Sequence, residues 1–256
     1  MKLEPIRLGA PTAEELPSEY TLSTWNVWFD RYRREERNFA LLAELEQYRP
    51  HVMLFQEVTP PFVRALQATA WLKEGYWISG VEHNQIGVVM VARVKCHALG
   101  FRPLTSQMGR RLLVGRFAGG LTVGGAHFES NRGSGETRAV QFSEALDILE
   151  PVPAGVLAGD FNSTAEDPES EKLVGRARDG WSTLHPENPG YTIDSQANDM
   201  LRKQAPLKNV QARIDRLLCI GDIKPLEIQL LGTEPFEGQD FSSDHFGLLA
   251  KLSLSR

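Results

Sequence analysis

AGVLAGDFN, residues 154–162, is an apolar run that stops at Asp160 and Asn162. Its length and its small and β-branched residues suit a buried strand. Gly159 permits an unusual backbone or a close approach just before the acid. If the chain stays extended, Asp160 and Asn162 point to the same side. Asp160 then suits a general base acting on water, although the same two residue types also make Asx turns. Taken alone, the stretch leaves both readings open.

The pattern recurs. YTLSTWNVW (20–28) reaches Asn26, HVMLFQEV (51–58) reaches Glu57, and LTVGGAHFES (121–130) reaches His127, each after a strand-like run. QIGVVMVARVK (85–95), RLLVGRFAGG (111–120), RIDRLLCIG (213–221) and HFGLLAKLSL (245–254) read as further strands. Helical patterns lie between them. RREERNFALLAELEQY (33–48) spaces Phe39, Leu42 and Leu45 three apart, and PPFVRALQATAWL (60–72) opens on prolines suited to a first turn. SGETRAVQFSEALDILE (134–150) alternates charged and apolar faces. Strands outnumber helices and many are consecutive, so the expected α/β architecture is two stacked sheets with helices on the outer faces. The polar strand ends then meet along one rim.

A chain of 256 residues with 41% hydrophobic and 24% charged residues can bury one large core, and no repeat or Gly/Ser-rich linker marks a boundary. Residues 1–19 are polar, carry three prolines and read as a flexible arm; residues 20–256 read as a single domain. The arm lacks the apolar h-region of a signal peptide. No stretch approaches the roughly 20 consecutive apolar residues of a membrane span, so the expectation is a cytoplasmic protein without a membrane partner. A net charge of −5 argues against indiscriminate binding along a duplex. Any phosphate chemistry must be local. Arg31, Arg33, Arg34 and Arg37 cluster, but Glu35 and Glu36 interleave them, which leaves a solvated helix face and a binding edge equally open. Cys96 and Cys219 are isolated and read as buried reduced thiols.

Near the end of the chain, GQDFSSDHFGLLAKL (238–252) sets Ser242, Ser243, Asp244 and His245 side by side before an apolar run. Metal-assisted hydrolysis of a phosphate ester needs a carboxylate for the ion, a base for water, and donors around the phosphoryl oxygens. Glu57 is a hard oxygen ligand suited to Mg²⁺. His127 and His245 can donate to nonbridging oxygens. Neighbours in an extended segment point to opposite faces, so Asp215 is a better orienting partner for His245 than Asp244 is.

TWNVW, QEV, AHFES, GDFN, RIDRLL and SDHFG, in that order, resemble the motif set of the endonuclease/exonuclease/phosphatase superfamily, which is DNase I-like. Within it, HFESNRGSGETRAVQ (127–141) and YTIDSQANDML (191–201) are most similar to the 5′-tyrosyl-DNA phosphodiesterases. The resemblance implies a four-layer sandwich of two packed mixed sheets flanked by helices, and single-step hydrolysis with Mg²⁺, or Mn²⁺ in its place. It implies that Glu57 holds the metal, with Asp244 nearby through water, and that Asn26 belongs to the metal site by helping to position metal-bound water and phosphate. Asp160 is then the base, Asn162 orients water and phosphate, His127 and His245 grip phosphoryl oxygens, and Asp215 orients His245. Arg132 and Ser130, in ESNRG, fall on the substrate-binding segment. One departure stands out: where those phosphodiesterases carry an arginine two residues after the asparagine of GDFN, this chain has Thr164.

The substrate this implies is the 5′ terminus of a single-stranded nucleic acid carrying a tyrosyl or peptide adduct, acted on by a monomer. Trp25, Trp28, Tyr76, Trp77 and Phe241 are candidates to stack on bases, though most of them suit the core. Three rival readings are another nuclease or phosphatase of the same superfamily, a non-catalytic binding scaffold, and a lipid hydrolase. Retention of Glu57, Asp160, Asn162 and His245 argues against the second, and the lack of an amphipathic insertion against the third.

Overall fold

The strand runs pair into two seven-stranded sheets. The computed structural model describes residues 1–9, 15–80, 86–204, 209–238 and 240–254. In the first sheet the strands lie in the order Lys2–Leu3, Cys96–Pro103, Arg111–Phe117, Leu121–His127, Ala154–Asp160, Asp215–Gly221 and Arg178–Asp179. The second runs Ile223–Leu231, Gly247–Leu254, Glu19–Asn26, Val52–Val58, Gly87–Ala92, Trp77–Ile78 and Ile6–Arg7. Each sheet has one parallel pair at its centre, Leu121–His127 with Ala154–Asp160 and Glu19–Asn26 with Val52–Val58. A parallel pair needs a crossover, supplied by the helices Gly135–Leu149 and Arg34–Tyr48. The carboxyl ends of the central strands are where Asn26, Glu57, His127 and Asp160 sit, the usual position for a ligand site on an open sheet.

Burial on both faces explains why these strands read as unbroken apolar runs. In Val52–Val58, Val52 and Leu54 pack toward the opposite sheet with Leu22, Met90, Val123, Val156 and Leu248. Met53 and Phe55 turn outward onto Leu41, Leu45 and Phe62 of the covering helices. On the far side, Phe128, Phe142 and Phe161 pack with Leu146 and Leu218 beneath helix Gly135–Leu149. The result is helix, sheet, sheet, helix.

Several expectations are corrected. Phe39 is 76% exposed, because the buried stripe of its helix runs through Asn38, Leu41, Leu42 and Leu45, at the i, i+3, i+4, i+7 spacing. The second helix stops at Ala68 and a 3₁₀ turn follows at Trp71–Glu74. Two long strands escaped the sequence reading, along with short ones such as Trp77–Ile78 and Arg178–Asp179. Cys96–Pro103 alternates with exposed polar positions, and Ile223–Leu231 carries Pro225, which is tolerated because this strand is a sheet edge. The segment read as a free arm contributes an edge strand to each sheet, pairing Lys2 with Gly100 and Ile6 with Ile78; residues 10–14 of it lie outside the described residues. Cys219 is buried but Cys96 only half so. No helix among the described residues is long and apolar enough to cross a membrane.

Gly159 holds the site's central strands together. Its φ is +146°, and a Cβ there would lie 1.9 Å from the Ala126 carbonyl oxygen of the neighbouring strand. Gly159→Ala is therefore expected to cost roughly 2–5 kcal/mol, read as a lower midpoint in urea unfolding. An unchanged midpoint would contradict the close approach.

Candidate active site

Register alone sets three of the side chains side by side. Asp160 is paired with His127 across the parallel ladder and with Asp215 across the antiparallel one. From the other sheet, Asn26 Nδ2 donates to Asp160 Oδ2 at 2.9 Å. The Asn162 amide donates to Asp160 Oδ1 at 2.9 Å, closing an Asx turn, and His127 Nε2 lies 3.4 Å from Oδ2. The Asx-turn reading of GDFN holds, and the turn is what aims the acid. Asn162 adopts a φ of 50° and its Nδ2 donates to the Phe128 carbonyl at 3.1 Å.

His245 comes from the loop before strand Gly247–Leu254, not from within the strand as its sequence suggested. Trp25 Nε1 donates to the His245 carbonyl at 3.0 Å, and Trp25 lies so close to Gly247 that a Cβ there would meet its ring at 2.6 Å. Ser243 Oγ donates to the Asn26 carbonyl at 2.6 Å and accepts the His245 amide at 3.2 Å. The Ser-Asp-His run is thus a clamp that ties the loop to Asn26. His245 Nδ1 lies 2.7 Å from Asp215 Oδ2, so this pair is in hydrogen-bond contact.

The two imidazoles sit in opposite electrostatic environments. Burial pulls His127 down to about 4, with Asp160 opposing and Arg110 adding to the fall. Burial also works against charge on His245, but Asp215, Asp244 and Asp160 outweigh it and hold its pKa well above the ordinary imidazole value. Burial raises the Asp160 carboxyl above the usual carboxylate range; His127 opposes this and Asp215 reinforces it. Half-buried Asp244 is pushed up to about 6 by burial, with repulsion from Glu57 adding to it and His245 and Arg37 opposing.

Two groups can be weighed as cation holders. Ligand atoms of Asp160, Asp215 and His245 lie within 4.8 Å of one another, and Asp215 Oδ1 is buried without a hydrogen-bond partner among the described residues. Yet Asp215 and His245 face each other and Asp160 already accepts from two amides. These residues are only 0–8% exposed, which leaves little room for the waters Mg²⁺ keeps. Glu57 and Asp244 are half-buried and repel one another. Glu57 has a φ of 58°, with one oxygen taken by the Phe29 amide at 2.9 Å. Two carboxylates with free lone pairs at the mouth fit a hydrated divalent ion better.

Two functional neighbours were missed in the sequence. Arg110 Nη2 lies 3.4 Å from His127 Nε2 and donates to Ser130 Oγ at 3.2 Å. Nothing in SQMGRRLL distinguishes that arginine from a turn residue. Arg37, read as one of an exposed cluster, is 0% exposed; its guanidinium donates to the carbonyls of Val27, Trp28, Asp30, Tyr32 and Ser242. Burial draws it down to about 10 against the pull of Asp244 and Asp30. Arg132 is exposed and makes no hydrogen bond or ion pair with the cluster among the described residues. Of the aromatic candidates, Trp25, Tyr76, Trp77 and Phe241 are all buried in cores and cannot stack on bases; Trp28 is half-buried under Arg37, 4.5 Å from its guanidinium.

Residues 23–245, from before Asn26 to His245, match the endonuclease/exonuclease/phosphatase family. Tyrosyl-DNA phosphodiesterase 2 of Bos taurus is 32% identical over 260 residues, covering 94% of this chain and 70% of that protein; its Homo sapiens counterpart is 31% identical over 262 residues, covering 95% and 70%. Among solved structures, Danio rerio TDP2 complexed with single strand DNA product superposes with a TM-score of 0.83 at 24% identity, covering 93% of this chain and 100% of that one. Truncated Caenorhabditis elegans TDP2 gives 0.78 at 22%, covering 92% and 97%.

The electrostatics predict that at neutral pH His245 is protonated and His127 is not. Ring resonances in an NMR titration should show His127 charging only near pH 4, and Asp215→Asn should move the His245 midpoint downward. In stability terms, a raised histidine contributes fully below its unfolded pKa of about 6.5 and loses that contribution as pH rises through its folded value. Two rings titrating together near 6.5 would contradict the assignment.

Proposed function

The chain belongs to the endonuclease/exonuclease/phosphatase family, and we propose that it is a Mg²⁺-dependent phosphodiesterase that cleaves the 5′-phosphotyrosyl link between a nucleic-acid end and a protein or peptide. The observation that carries this reading is Asp160: a carboxylate 1% exposed, gripped by Asn26 and by the Asn162 amide, with its pKa raised by burial. A general base works best when its pKa approaches the working pH and its geometry is fixed beforehand. Asp160 takes the proton of the attacking water, which Asn26 and Asn162 orient. Cationic His245, held by Asp215, and neutral His127 donate to the phosphoryl oxygens, one as an ion and one as a dipole. Glu57 and Asp244 would hold the metal, which would supply positive charge at the phosphoryl oxygens. Ser130 and Arg132 serve the substrate's backbone.

The leaving group suits this inventory. A tyrosine phenol has a pKa of about 10, so it departs with little protonation and demands no further general acid. The similarity to tyrosyl-DNA phosphodiesterase 2 over nearly the whole chain supports the tyrosyl assignment. Thr164 does not supply the arginine of that group; its amide and carbonyl are spent on Asp167 and Ser170. Arg110 is a guanidinium already beside His127. A single-stranded terminus fits an enzyme with a net charge of −5 better than a duplex does.

The test is direct. Purified protein with Mg²⁺ is offered single-stranded oligonucleotides bearing a 5′-phosphotyrosine, an abasic site or no lesion. Release of tyrosine should predominate, EDTA should abolish it, and Asp160→Asn should slow it on the order of 10³-fold or more. Cleavage at the abasic or unmodified site alone would replace the tyrosyl assignment with a nuclease. Full activity in Asp160→Asn would remove the assigned base.

A further inference from the structure

A buried carboxylate that none of the chemistry uses lies two residues after His127. Glu129 is 0% exposed and accepts four hydrogen bonds: from Ser106 Oγ at 2.6 Å, the Gln107 amide at 3.1 Å, the Met108 amide at 3.1 Å and Gln141 Nε2 at 3.2 Å. Its own backbone is fixed from helix Gly135–Leu149, where Gln141 Oε1 accepts its amide at 3.0 Å and Arg138 Nη1 donates to its carbonyl at 3.0 Å. Three of the four side-chain bonds reach into the hairpin loop between strands Cys96–Pro103 and Arg111–Phe117. Within that loop Ser106 Oγ, having donated to Glu129, accepts the Met108 amide at 3.1 Å and the Arg110 amide at 2.9 Å. The relay therefore runs from Glu129 through Ser106 to Arg110.

A hairpin loop does not need a fully buried carboxylate to close, since burying a charge is costly unless it is paired or well hydrogen-bonded. What the loop delivers is the Arg110 guanidinium, beside His127 and Ser130, with its Nε buried and lacking a partner among the described residues. We propose that Glu129 is a positioning residue whose carboxylate folds the 106–110 loop so that Arg110 is preset in the active site as an oxyanion-facing donor. The proposal rests on the phosphodiesterase reading. Preorganised donors act through placement, and a displacement of about 1 Å can cost a hundredfold in rate.

The experiment is a double-mutant cycle on a 5′-phosphotyrosyl oligonucleotide with Glu129→Gln, Arg110→Ala and the pair, joined to hydrogen exchange on the loop. Glu129→Gln keeps the volume but replaces two acceptor oxygens with one and sets an NH₂ against donors. We expect it to lower kcat by roughly ten- to a hundredfold with KM little changed, and the pair to be no slower than Arg110→Ala alone. Exchange should speed up at the amides of Gln107, Met108 and Arg110 while the sheet strands stay protected. Ser106→Ala, which cuts the relay at the loop and leaves Glu129 in place, should give a smaller loss in the same direction. Additive effects in the cycle, a fully active Glu129→Gln, or unchanged loop protection would each overturn the proposal. A parent inactive on every phosphodiester would fell the proposed function instead, and the exchange data would still decide whether Glu129 holds the loop.

Discussion

Two hydrogen bonds across the seam between the sheets hold the candidate active site together. Asp160 in one sheet accepts from Asn26 in the other at 2.9 Å, and Asp215 in the first meets His245 from the second at 2.7 Å. All four groups are nearly or fully excluded from water. An unpaired buried polar group costs about 1–3 kcal/mol and an unpaired charge more, so the two sheets can close at this rim only with these partners in register. Register supplies it, because one ladder row carries His127, Asp160 and Asp215 abreast. Backbone strain accompanies the arrangement: Glu57 and Asn162 both hold left-handed φ without being glycine. Such residues persist only where their surroundings over-determine them, and they concentrate at functional sites.

From this seam follows a division of protonation states. The ring in hydrogen-bond contact with a buried acid keeps its proton, while burial, reinforced by the Arg110 guanidinium and only partly opposed by Asp160, strips it from the other. Neighbouring groups whose environments push their pKa values apart mark a site built for acid and base roles. Two guanidiniums frame the cluster. Arg37, spent on backbone carbonyls, fixes the wall around Asp244, and Arg110, held by its loop, enters beside His127.

Much of this was legible in the sequence because strands buried on both faces leave long apolar runs, and a polar residue ending such a run stands out. Asn26, Glu57, His127 and Asp160 were found that way. The pairing of His245 with Asp215 was also expected, but from a rule for extended segments that does not apply here, since His245 lies in the loop before its strand. What was hidden had no periodic signature. Arg110 and Glu129 work through loop geometry and through contacts between distant segments. Arg37 looked like one basic residue among several on a charged helix, and only its angular position, on the stripe with Leu41 and Leu45, buries it. Phe39 misled for the complementary reason: a three-residue spacing was taken as the apolar stripe, while the true stripe passes one residue away. The aromatic residues nominated for stacking on bases were, for the most part, the cores of the sheets.

The decisive measurement is a crystal structure of the protein with Mg²⁺ and a single-stranded oligonucleotide ending in a 5′-phosphate. One ion is expected on Glu57, with Asp244 reaching it through water, and the phosphate is expected between His127 and His245 beside Asp160. An ion lodged instead among Asp160, Asp215 and His245, or a phosphate bound away from both imidazoles, would contradict this placement.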